Sequence, residues 1–72
     1  MLSPRAPVAT NQLQAGDLLF YAGTDGAGAI GHVAMYIGDG RMIEAFDAAT
    51  PVRITAARLD GGYRGAVRYL PV

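Results

Sequence analysis

At 72 residues, with zero formal net charge, no cysteine and one histidine, the chain excludes several functions at once. A disulfide, a thiolate metal site and a thiol nucleophile are all ruled out within it, and His32 alone cannot build a zinc site. The six arginines (Arg5, Arg41, Arg53, Arg58, Arg64, Arg68) are dispersed and lysine is absent, which argues against a phosphate-tracking nucleic-acid surface or a polybasic membrane patch.

About half the residues are apolar, a globular rather than disordered composition. A chain this short buries only roughly 60% of its unfolded surface, so marginal stability is expected. No apolar stretch approaches the ~20 residues of a membrane-spanning helix. The start, Met1 to Pro7, has no apolar core of a secretion signal. Cellular address is therefore not readable from the residues, and neither cofactor nor metal is expected.

In chain order, residues 1–14 hold two of the four prolines and read as an irregular lead-in to a single domain spanning 1–72. Gly16-Asp17 reads as a turn, with Asp17 in a local structural role. Leu18 to Tyr21 follows as a buried strand. Ala22 to Gly31 is glycine-rich and aperiodic, hence a loop. His32 to Ile37 is the second strand, Gly38-Asp39-Gly40 a hairpin turn, and Arg41 to Phe46 the third strand. Asp47 to Pro51 reads as a loop, Val52 to Thr55 as a short strand, Ala56 to Asp60 as a helical turn, and Tyr63 to Leu70 as the last strand.

The His32–Phe46 hairpin is where chemistry is possible, and its register decides the matter. A two-residue Asp39-Gly40 loop pairing Ile37 with Met42 sends His32 and Glu44 to opposite faces. A three-residue loop with Gly40 left-handed pairs Ile37 with Arg41, Ala34 with Glu44 and His32 with Phe46. His32 and Glu44, the only glutamate, then share a face as diagonal neighbours. Periodicity leaves both registers open; glycine on either side of Asp39 permits the second, which is the one expected. Glu44 would then accept from Nδ1–H of His32 and leave Nε2 to take a proton. Tyr36 shares that face, and packing is its expected role. Val33, Met35, Ile37, Ile43 and Ala45 make the opposite face apolar too, so cover is expected on both sides.

Leu13-Gln14-Ala15-Gly16-Asp17-Leu18-Leu19-Phe20-Tyr21, His32-Val33-Ala34-Met35-Tyr36-Ile37-Gly38-Asp39-Gly40-Arg41-Met42-Ile43-Glu44-Ala45 and Arg64 to Tyr69 resemble segments of the NlpC/P60 family of bacterial cell-wall cysteine peptidases. The resemblance implies an α+β, papain-like fold of which this chain is mainly the antiparallel β-sheet half, without the helix that carries the nucleophile. It implies His32 as catalytic base and Glu44 as the residue that orients its ring. It also implies a peptidoglycan stem peptide as substrate, a missing N-terminal half of the domain as partner, and a secreted or cell-wall location. The chain departs from the family in lacking the Asp-Cys-Ser-Gly motif, and a permuted arrangement is excluded because no cysteine follows His32 either. Catalysis by the isolated chain is not expected. Two other readings remain: an SH3-like β-barrel that binds peptide or glycan without chemistry, and a truncated remnant without function.

Overall fold

The computed structural model describes residues 5–23, 29–45 and 51–69. Among these residues six strands form one antiparallel sheet: β1 (Arg5–Val8), β2 (Leu18–Ala22), β3 (Ile30–Gly38), β4 (Arg41–Glu44), β5 (Arg53–Ala56) and β6 (Tyr63–Tyr69). Their order is β1-β6-β2-β3-β4-β5, leaving β1 and β5 at open edges. The only helical element among the described residues is a 3₁₀ turn at Thr10–Gln12. This is the expected β-sheet architecture, and it is an open sheet rather than a closed barrel.

Two expected segments differ. Residues 1–14 are not an irregular lead-in throughout, because β1 pairs with β6 from Arg5↔Tyr69 to Val8↔Ala66. Proline discouraged that reading, but an edge strand tolerates Pro7, since one side of its backbone needs no ladder partner. The helical turn at Ala56–Asp60 does not form. Residue 56 ends β5, and the chain beyond is held by tertiary bonds: Ala57 N–H donates to Gly40 O (2.8 Å), and Arg58 O accepts from Tyr21 Oη (2.8 Å). The expected loops at 22–31 and 47–51, the His32–Phe46 pairing and the Leu70 strand end lie partly or wholly outside the described residues.

Period-2 alternation sorts the strands into two faces. Leu19, Tyr21, Ala34, Met42 and Ala66 form the buried core on one. Leu19 and Met42 are fully buried, and each such side chain contributes about 1.5–3 kcal/mol. On the other face Val33, Met35, Ile37 and Ile54 stay exposed. That apolar exposure matches the expectation of two faces needing cover.

The β3–β4 hairpin combines features of both anticipated registers. Its body pairs Met35↔Ile43 and Tyr36↔Met42, the alignment that sets Ala34 opposite Glu44. Its tip closes as Gly38↔Arg41, a two-residue Asp39-Gly40 turn with φ of 55° and 71°. Both central residues are left-handed, as the tightest hairpins require. The extra residue is absorbed in a bulge between Tyr36 and Gly38, where Gly38 has φ 94°. The bulge sits on β3 rather than at Gly40, and it uncouples turn length from register. Tyr36 packs against the core, as expected, and its hydroxyl accepts from Gly40 N–H at 2.9 Å.

Candidate active site

His32 and Glu44 lie on one face, brought together by that register. The chain pairs Tyr21 of β2 directly with His32 of β3, and their ring centroids are 5.7 Å apart. Glu44 ends β4, with its side chain fully buried. His32 Nε2 stands 2.8 Å from Glu44 Oε1. The expected geometry had Nδ1 in this contact and Nε2 left over; the structure reverses the two nitrogens. A diagonal neighbour lies far out along the imidazole, where Nε2 is the atom that reaches.

Glu44 has two further partners that sequence reading missed. Arg58 grips it with a two-pronged contact, Nη2 to Oε1 at 2.7 Å and Nη1 to Oε2 at 2.8 Å. Thr55 Oγ1 donates to Oε2 at 2.8 Å. Each oxygen therefore carries two contacts, near the capacity of a carboxylate. The Arg58 hydrogen bonds, helped by those of His32 and Thr55, overcome the burial penalty and hold Glu44 down at about 2, against an ordinary 4.5. Glu44 is ionised at neutral pH and can only accept. The proton in the His32–Glu44 contact therefore belongs to Nε2, and the proton-accepting role in the neutral ring falls to Nδ1.

Tyr21 positions the arginine. Besides accepting its hydroxyl proton at the Arg58 carbonyl, that residue lays its guanidinium 5.3 Å from the Tyr21 ring centroid, a cation–π distance. Burial pushes the Tyr21 hydroxyl up, so it remains a donor. The clue to this cluster was in the sequence. A lone glutamate at an inward strand position needs a cation, and Arg58 lies just past the next strand.

His32 and Arg58 line an open pocket of about 540 Å³, walled by Gly23, Gly31, Gly61 and Gly62. Gly31 touches Gly23 so closely that a Cβ at residue 31 would collide with the neighbouring backbone. Among the described residues no group of three or more acidic, histidine or cysteine side chains could hold a metal.

An antiparallel sheet carrying a carboxylate-bound histidine beside a backbone-walled pocket defines the general class. The chain belongs to the NlpC/P60 family, whose profile matches residues 2–67. It is 50% identical to a γ-D-glutamyl-L-lysine dipeptidyl-peptidase of Bacillus cereus, the match covering 82% of this chain and 19% of that protein. It is 36% identical to the peptidoglycan endopeptidase RipA of Mycobacterium tuberculosis, over 88% of this chain and 12% of that protein. A crystal structure of an NlpC/P60 family protein from Bacillus cereus superposes with TM-score 0.74 at 45% identity, covering 92% of this chain and 23% of that one. The chain thus spans about a fifth or less of the length of these two curated relatives.

Proposed function

We propose that this chain carries the base half of a cysteine-type peptidase site acting on peptidoglycan stem peptides, with His32 as general base and Glu44 as its orienting carboxylate. The carrying observation is the 2.8 Å contact between His32 Nε2 and the buried Glu44. The thiol comes from outside these 72 residues, because they contain no cysteine, and the chain alone is inactive. The substrate class is supported by two relatives, one named for γ-D-glutamyl-L-lysine and one for peptidoglycan.

In this reading Nδ1 takes the thiol proton, and the thiolate attacks the amide carbonyl carbon. The C–N bond breaks as the imidazolium returns that proton to the leaving amine. Water, deprotonated by the same nitrogen, then attacks the thioester carbon; the C–S bond breaks, the acyl group leaves as a carboxylic acid, and the imidazolium returns the proton to the sulfur. Glu44 fixes the ring and faces the imidazolium when it forms.

The test joins this chain in frame to the cysteine-bearing part of an NlpC/P60 relative and follows thiol-dependent cleavage of stem peptides. Cleavage should be restored, and His32→Ala should abolish it. Near-full activity in His32→Ala would place the base elsewhere.

A further inference from the structure

The ring of His32 depends on Glu44 staying an acceptor, and burial works against that. A carboxylate with no exposed side-chain surface is strongly penalised unless a cation compensates it. Neutral His32 offers one N–H and no charge, and Thr55 offers a hydroxyl. Among the described residues, three charged side chains stand near the pair. Arg53 of β5 stands opposite Glu44 in the register, and Asp60 and Arg58 line the pocket with His32. Tyr21, from β2, faces the ring as a neutral phenol, and Tyr63 of β6 packs edge-on against Tyr21. Of these, Arg58 makes the two-pronged contact with both carboxylate oxygens.

We infer that Arg58 is a positioning residue that sets the direction of the His32–Glu44 hydrogen bond, keeping Glu44 an anionic acceptor so that the ring proton stays on Nε2 and Nδ1 stays able to accept. Without that guanidinium, the buried pair offsets the carboxylate charge by taking up a proton in one of two ways. Glu44 binds the proton and donates it toward Nε2, which moves the ring proton to Nδ1, or the ring takes the proton and stands as an imidazolium against the carboxylate. Either outcome removes the neutral ring with an accepting Nδ1. Arg58 touches no reacting atom; it acts through Glu44.

This inference rests on the catalytic reading of His32 for its consequence, while its test needs no catalysis. Ring ¹⁵N and carboxyl ¹³C NMR on the labelled 72-residue chain reads both groups directly. With the ring in its neutral form, the unmodified chain should show the proton on Nε2 and none on Nδ1, with the Glu44 carboxyl held down at about 2. In Arg58→Met, which keeps much of the side chain's bulk, the Glu44 midpoint should rise by on the order of one to three pH units. The Nε2-protonated neutral signature should be lost with it. Arg58→Lys restores a charge and should recover most of that signature. A role limited to packing over Tyr21 predicts the opposite order, with Met tolerated better than Lys. The inference is overturned if Arg58→Met leaves both signals unchanged. Should that variant fail to fold, the unmodified chain decides: a Glu44 carboxyl titrating in the ordinary range, or an Nδ1-protonated ring, overturns it too. Failure of His32→Ala to affect cleavage would instead sink the catalytic reading and leave this hydrogen-bond polarity standing.

Discussion

Asp17 and Glu44 are buried to nearly the same degree, and each is gripped by an arginine from later in the chain. Their remaining partners differ. Asp17 takes Arg68 Nε on Oδ1 at 2.8 Å and Arg68 Nη2 on Oδ2 at 2.9 Å, and the Gln14 backbone N–H fills the rest at 2.8 Å. Arg68 also donates to the Gln12 carbonyl at 3.0 Å, so this pair ties the start of β2 to β6. Glu44 has the same arginine grip but turns one acceptor toward an imidazole that lines a pocket. The first carboxylate is spent on connecting strands; the second holds a titratable ring. Burial and an arginine partner therefore do not distinguish the two acids, and the identity of the third partner does.

Three measurements would break or sharpen that contrast. The largest effect is expected for Glu44→Ala, which strands Arg58 and His32 around a cavity. Removing one member of a buried pair costs about 3–5 kcal/mol, and the partial exposure of Arg58 reduces this to about 2–3 kcal/mol. Chemical denaturation would check it. Asp17→Asn should lower the thermal midpoint by a smaller step, on the order of 5 °C. It should leave the His32 ring signature and the cleavage activity of the joined domain unchanged. Loss of that signature in Asp17→Asn would show the two networks to be coupled.

The second measurement is acid unfolding. Both carboxyls are held below their ordinary values in the folded chain, Glu44 at about 2 instead of 4.5 and Asp17 lowered from 3.8, each mainly by its arginine hydrogen bonds. A depressed folded value means that the stabilisation is fully present above the unfolded value. It is then lost as pH falls through the folded one. Stability should therefore decline from about pH 4.5 toward 2, and Glu44→Gln should flatten that decline more than Asp17→Asn. Equal flattening would mean that the two pairs contribute alike. The smallest effect belongs to Tyr36→Phe, outside both networks, which removes one hydrogen bond at the hairpin tip and costs about 0.5–1 kcal/mol by denaturant titration.

Much of this was legible in the residues. Alternation and the glycines around Asp39 were enough to expect His32 and Glu44 on one face. What sequence could not give was which imidazole nitrogen reaches the carboxylate, because that follows from the diagonal distance and the rotamer rather than from parity. Arg58 escaped because it lies in an aperiodic segment whose path is set by Tyr21 and Gly40, contacts 37 and 17 residues away in the chain. Asp17 reads as a local turn residue, which its Gln14 bond supports, but its tie to Arg68 spans 51 residues. β1 was hidden by prolines whose effect depends on whether a strand is central or at an edge.

The close approach of Gly31 to Gly23 has a consequence for mutational tolerance. Residue 30 is exposed and can vary widely, and residue 32 carries the ring, but residue 31 has room for a single hydrogen as side chain. A saturation library across β3 should therefore read as nearly blank at position 31 for any property that depends on folding, and as permissive one step earlier. Moving the two backbones apart to admit even alanine would shift the strand on which His32 sits, so the narrowest position in the library borders the histidine.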